Sequence, residues 1–155
     1  MIAANGYLIS KIELPPAIRG MVVQRNWEAL DRAIAAETAP TGMIFKELRN
    51  HGEFSEIEFI IAIRSSREEP DEDGIWHDDG SRVLAFSLSL TLNPEAIEGG
   101  RLEIKKRGAD LSTAQILPTP PFGTMIVFAT GHQGFEHKIG RVIQGERIII
   151  AGWCR

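Results

Sequence analysis

The sequence predicts a mainly β protein: a double-stranded β-helix, or jelly roll, with N-terminal helical support. Three observations predict it. A single clear amphipathic helix lies before residue 40, and six to eight short strand-like runs follow residue 50. Gly and Pro divide those runs into turns, as an antiparallel double sheet requires. At 155 residues the chain suits one domain with a real core. It reads as a supporting strand and helix over residues 1–50 and a jelly-roll core over 51–155.

Tyr7 to Leu14 reads as a strand, and Pro15-Pro16 argues against a helix there. Asn26 can cap a helix in which Trp27, Leu30, Ala33 and Ile34 form an apolar stripe at helical spacing. Trp27 is expected to pack against a sheet. Pro40-Thr41-Gly42 is expected to end the helical part, with strands from residue 43 onward. Ile57 to Ile63 is rich in β-branched residues and reads as a buried strand. The acidic run from Ser65 to Gly74 reads as a solvated loop, or as a mobile rim over a site. Phe86 to Leu92 alternates strictly between apolar residues and Ser87, Ser89 and Thr91. That hydroxyl face meets either a cavity or water. Short strands are then expected at 101–104, 114–117, 123–128, 136–143 and 147–153.

Composition narrows the function classes. Hydrophobic residues at 43% and charged residues at 25% are ordinary for a globular protein. A formal charge of −4 argues against a general nucleic-acid binder, which needs a basic face to displace counterions from phosphates. The one tight basic run, Lys105-Lys106-Arg107, reads as a solvated hairpin. Cys154 is the single cysteine, which excludes an internal disulfide framework and a cysteine-built zinc site. No apolar run approaches the roughly 20 residues that span a bilayer. Met1-Ile2-Ala3-Ala4-Asn5 lacks the basic start and long apolar segment of a secretory leader, so a cytoplasmic location is expected.

Trp76-His77-Asp78-Asp79 is the stretch with chemical content. Side chains two apart share one face of an extended strand, so His77 and Asp79 can address one metal ion while Asp78 points away. A distant second imidazole, with His137 as the candidate, would complete two histidines and one carboxylate. That set covers one face of an octahedral ion and leaves the opposite positions open. His51 and His132 fit no part of this pattern.

With the Gly99 to Ile104 strand, Gly123 to Phe128, His137, Gly145-Glu146-Arg147 and Trp153 in order, the chain resembles the 2-oxoglutarate- and Fe(II)-dependent dioxygenases. Within them it is similar to the prolyl 4-hydroxylase-like group. The resemblance runs from residue 76 to residue 155, and its most specific feature is an Arg ten positions beyond the distal His. It implies that His77, Asp79 and His137 hold Fe(II) and that 2-oxoglutarate chelates the iron. It implies that Arg147 binds the far carboxylate, because a guanidinium offers two parallel hydrogen bonds to a carboxylate. His137 and Arg147 are expected on adjacent strands facing one cavity. Thr91 stands near a position where related hydroxylases carry a Tyr that helps hold that carboxylate, with Ser89 beside it. Arg82 follows the motif as an Arg does in related hydroxylases, reaching towards the substrate; a salt bridge at the strand edge is the alternative.

The implied reaction uses O₂ and 2-oxoglutarate to hydroxylate a C–H bond, releasing CO₂ and succinate. Its substrate would be a peptide, an amino acid or another small molecule, with a prolyl residue suggested by the subgroup. Two rival classes stand beside it: a cupin-like jelly-roll metalloenzyme that does not use 2-oxoglutarate, and a non-catalytic binding domain of the same fold. Arg147 argues against the first and the intact ligand set against the second. A nucleic-acid-directed relative would need a basic groove that the sequence does not supply. With one helix supporting the sheet, a homodimer would cover what further helices cover elsewhere.

Overall fold

The computed structural model describes residues 2, 4–66 and 74–155. The middle of the acidic loop, read above as a rim, lies outside the described residues. Three helices, α1 (Ala17–Val23), α2 (Trp27–Thr38) and α3 (Met43–Arg49), follow the first strand, β1 (Tyr7–Lys11). They lie on one face of a five-stranded antiparallel sheet. Its other strands are β2 (Ile57–Arg64), β3 (Leu84–Ser89), β7 (Thr124–Ala129) and β10 (Arg147–Cys154), in the order β1-β7-β3-β10-β2. The second layer holds β5 (Leu102–Lys106) between β6 (Gln115–Leu117) and β8 (Phe135–Ile139), and a small pair of β4 (Glu98–Gly99) with β9 (Val142–Gln144). This is the jelly roll with helical support that the strand pattern predicts.

Two cores follow from strand alternation. Leu84, Phe86 and Leu88 of β3 pack with Leu30, Ile34, Ile44 and Leu48 from the helices. Ala85 turns the other way, joining Ile126 and Phe128 of β7 and Leu102 and Ile104 of β5 between the sheets. A strand covered on both faces must be apolar or hydroxyl-bearing throughout, and β3 and β7 are buried at every position. The hydroxyl face therefore meets the protein interior, not water: Ser87, Ser89 and Thr91 are all buried.

The helical part holds more than the one helix expected. Tyr7–Lys11 is a strand, as the residues ahead of Pro15-Pro16 predict, but a further helix starts directly after the prolines, because proline is tolerated where the first turn has no hydrogen-bond partner to lose. Pro40-Thr41-Gly42 separates two helices and does not end the helical part. Gly42 N donates to Ala39 O at 2.8 Å, and the Glu37 carboxylate accepts from Met43 N at 2.9 Å at the head of α3. Strands therefore begin at Ile57, not at residue 43. Asn26 caps α2 as its sequence predicts, accepting from Ala29 N at 3.2 Å, and Trp27 packs at the edge of the helix-side core.

The basic run is solvated only in part: Lys106 and Arg107 are exposed, and Lys105 is not. Lys105 is buried, forms an ion pair with Glu136, and sets its ammonium 4.7 Å from the centre of the Trp76 ring. Arg107 pairs with Asp78 at 2.9 Å and donates to Gly131 O at 2.7 Å. Both tie the strand to the segment that carries His77. No helix among the described residues is long and apolar enough to cross a membrane.

Candidate active site

Main-chain bonds place the two imidazoles. His77 N donates to His137 O at 3.0 Å and His137 N donates to His77 O at 2.9 Å, an isolated antiparallel bridge onto β8. Paired residues of such a bridge point to the same side, and the two rings stand 4.4 Å apart, centre to centre. The chain leaves extended pairing after His77, and Asp78 and Gly80 form a local turn in which Gly80 N donates to Asp78 Oδ1 at 2.9 Å. That turn sends Asp79 to the same side as His77. His77, Asp79 and His137 each offer a ligand atom, and these atoms all lie within 4.8 Å of one another. Asp78 is drawn off by Gly80 N and by Arg107, which hold its carboxyl below the usual carboxylate range.

The donor set fits a divalent ion. His77 Nδ1 lies 3.0 Å from Ile75 O, and a carbonyl can only accept, so Nδ1 carries the proton and Nε2 the lone pair. His137 sets Nε2 3.7 Å from Asp79 Oδ2. Burial pushes the His137 imidazole down to about 4, although the Asp79 carboxylate pulls the other way. A neutral ring is what a metal requires at neutral pH. Thr130, fully buried and 51 residues from Asp79, donates from Oγ1 to Asp79 Oδ2 at 2.9 Å and accepts from Asp79 N at 3.1 Å. It fixes both the carboxylate and the backbone that carries it. The sequence gives no local signal for this role. Thr130→Val should keep the shape, lose the donor and weaken metal affinity about 10- to 100-fold, the usual effect of removing a ligand's orienting partner; an Fe(II) titration checks it.

Both imidazoles line a cavity of about 140 Å³ between the sheets, and so does Arg147. The route differs from the expected one: His137 and Arg147 are not neighbours in one sheet. They lie on β8 and β10, in facing layers, with β9 between them in the chain. Arg147 is 4% exposed, and its Nε has no hydrogen-bond partner among the described residues. Burial, with Arg64 nearby, pushes the guanidinium down to about 10. A buried cation without a carboxylate among the described residues suits an anionic ligand. Ser87 also lines the cavity, and its Oγ has no partner among the described residues. These orphaned donors fit a dicarboxylate such as 2-oxoglutarate.

Gly100 makes room for that arginine. Its φ is +63°, and an added Cβ would stand 3.1 Å from Arg147 Cδ and 2.9 Å from Val142 Cγ2. Gly100→Ala is expected to tilt the Arg147 stem and weaken 2-oxoglutarate binding by about tenfold, which corresponds to about 1.4 kcal/mol, with Fe(II) affinity unchanged. Parallel titrations with metal and co-substrate check it.

The other sequence candidates fall outside the cavity wall. Thr91 Oγ1 donates to Ile148 O at 3.1 Å and accepts from Ile148 N at 3.0 Å, so its hydroxyl is spent on β10. Ser89 Oγ accepts from Thr91 N at 3.3 Å. Ser87, on the same face of β3, is the hydroxyl that reaches the cavity. Arg82 pairs with Glu58 at 2.8 Å and lies 5.6 Å over Trp153, whose ring is part of the cavity wall. The salt-bridge alternative describes it.

Fold and site together define a jelly-roll oxygenase built for a divalent metal and an anionic co-substrate. The sequence profile of the 2OG-Fe(II) oxygenase superfamily matches residues 63–155, and the chain belongs to that superfamily. It is accordingly an enzyme that uses Fe(II), 2-oxoglutarate and O₂. No curated protein sequence matches the chain significantly. Among solved structures, a prolyl-4-hydroxylase from Pseudomonas putida is similar at 19% identity, covering 98% of this chain and 87% of its own, with a TM-score of 0.66. A prolyl hydroxylase from Trichoplax adhaerens, solved with a hypoxia inducible factor peptide fragment, is 12% identical over 97% of this chain and 84% of its own, with a TM-score of 0.56. A viral collagen prolyl hydroxylase from Paramecium Bursaria Chlorella virus-1, solved with 2OG, is 16% identical over 95% and 93%, with a TM-score of 0.55. At these identities the likeness is one of fold.

Proposed function

We propose that His77, Asp79 and His137 hold Fe(II), that Arg147 holds the far carboxylate of 2-oxoglutarate, and that the chain hydroxylates a C–H bond of a prolyl or other amino-acid residue in a peptide. One observation carries this reading: both imidazoles of a three-ligand cluster line the same cavity as a buried guanidinium that has no carboxylate partner among the described residues. Bound Fe(II) and 2-oxoglutarate supply the oxidising power by coupling O₂ reduction to decarboxylation of the co-substrate. The chain does the rest. Thr130 and the Ile75 carbonyl orient two of the ligands, and Arg147 orients the co-substrate. Phe128, Ile149 and Ala151 keep the cavity wall apolar and exclude water. Ile60 lines the cavity yet is 52% exposed, an apolar edge on which a substrate side chain can rest. The fold likeness to a hydroxylase solved with a peptide supports a peptide over a free metabolite.

The test is an anaerobic visible titration of the protein with Fe(II) and then 2-oxoglutarate, followed by succinate release with prolyl peptides and with free proline. A weak charge-transfer band that needs both additions supports the site assignment; iron binding without the band favours the cupin-like alternative. Succinate release that rises with peptide but not with free proline supports the substrate class, and the reverse overturns it.

A further inference from the structure

The outer face of the second layer carries a side-chain cluster that the cavity does not use. In the β5–β8 register Ile104 lies opposite His137, flanked by Lys105 opposite Glu136 and Glu103 opposite Lys138. Strand side chains alternate between faces, so His137 turns into the cavity and the two charged pairs turn away from it. They meet as ion pairs, Lys105 with Glu136, and Lys138 with Glu103 at 3.1 Å. Trp76, the neighbour of His77, lies on this outer face. Its ring centre is 4.7 Å from Lys105 Nζ and 5.2 Å from Lys138 Nζ. Two ammoniums thus approach one indole, an attraction that strengthens where water is excluded. Lys105 is 6% exposed, and burying an ammonium costs free energy that its partners must offset. The segment that carries His77 needs such a hold. Its main-chain bonds to β8 among the described residues are Gly74 N to Ile139 O, at 2.7 Å, and the His77–His137 bridge. An isolated bridge fixes one residue pair, and the Trp76 ring pins the chain on the side opposite the imidazole.

We propose that Lys105, helped by Lys138, seats the Trp76 ring on the outer face and thereby holds the His77 imidazole in place for the metal. Lys105 and Trp76 are positioning residues, acting on the metal only through the backbone that joins Trp76 to His77. The proposal rests on the assignment of His77 as a ligand above. It puts part of the control of metal affinity on the far side of the sheet from the cavity.

The experiment is an anaerobic Fe(II) titration of the full chain in a double-mutant cycle, Lys105→Met with Trp76→Leu, beside thermal melts of the metal-free proteins. Methionine keeps most of the lysine stem and loses the charge; leucine keeps an apolar side chain and loses the ring. Each single change is expected to weaken Fe(II) binding about tenfold, the lower end for loss of an orienting partner. The double variant should bind no more weakly than either single one, because Lys105 acts through the ring. Lys105→Arg keeps a cation over the indole and should return affinity to within about threefold of wild type. Lys138→Met changes a side chain that is 24% exposed and should cost about two- to fivefold. It carries the same cycle with Trp76→Leu where Lys105→Met does not fold. Unchanged Fe(II) affinity in the folded single variants overturns the proposal, whatever their melting temperatures, and so do losses that add in the double variant. A wild type that binds no Fe(II) would instead sink the assignment of His77, Asp79 and His137.

Discussion

His77→Ala is expected to abolish retention of Fe(II), with metal affinity falling by well over about a hundredfold. Losing a ligand removes more than losing a ligand's orienting partner, which alone is worth about 10- to 100-fold. The fold should survive the change. The bonds that dock this segment on β8 run from the main chain of residue 77, and alanine keeps them. Metal content after anaerobic loading and desalting is the readout. Asp78→Ala is the matched control one residue away. Its carboxylate serves Gly80 N and Arg107, so its loss should lower stability slightly and leave iron bound. Iron lost equally from both variants would show that Asp79 is wrongly chosen as the carboxylate ligand.

The legibility of this site follows the reach of each interaction. His77 and Asp79 share a short segment, so their convergence is readable from the chain. The alternation of Phe86 to Leu92 is also local, and it gathers the hydroxyls on one face; that this face turns inward depends on the facing sheet. Which hydroxyl reaches the cavity is not local: Thr91 is captured by Ile148, 57 residues away, and Ser87 is not. Thr130 is invisible for the same reason, because its partner is Asp79 across the fold. Lys105 looks like part of a surface run until Glu136 and Trp76 close over it. Arg64 follows the apolar run Ile57 to Ile63, and only the β2–β10 register sets it opposite Arg147.

Local signals also misled where their range was overestimated. Pro40-Thr41-Gly42 is expected to end the helical part, yet it sits just ahead of α3, and Pro15-Pro16, which correctly marks the preceding residues as non-helical, sits just ahead of α1. A proline forbids a helix interior but suits its entrance, and a glycine in extended conformation (φ −77°, ψ 162°) can precede a first turn as readily as follow a last one. At seven residues α1 and α3 hold only about two turns each, too few to stand out by pattern or to persist alone, so burial against the sheet makes them helices.

Arg147→Leu is expected to separate the two halves of the site: iron stays, and 2-oxoglutarate affinity falls on the order of 10²- to 10³-fold. Each charge-assisted bond to a carboxylate contributes about 1.5–3 kcal/mol, and the guanidinium fork can make two. Arg147→Lys keeps the charge and loses the fork, so it should recover only part of the loss. The same substitution has an opposite effect on the ligand-free protein. Arg147 is buried beside Arg64, and desolvation holds its guanidinium down to about 10. Its charged form is thus less comfortable folded than unfolded, and removing the charge should raise the melting temperature without ligand even though leucine fills less space. Adding 2-oxoglutarate should then stabilise the wild type and leave the variant unmoved. A variant that melts lower than wild type without ligand would mean that the guanidinium already has a partner inside the protein, and the cavity would need a different occupant. Iron loss from Arg147→Leu as complete as from His77→Ala would break the division between metal ligands and co-substrate anchor.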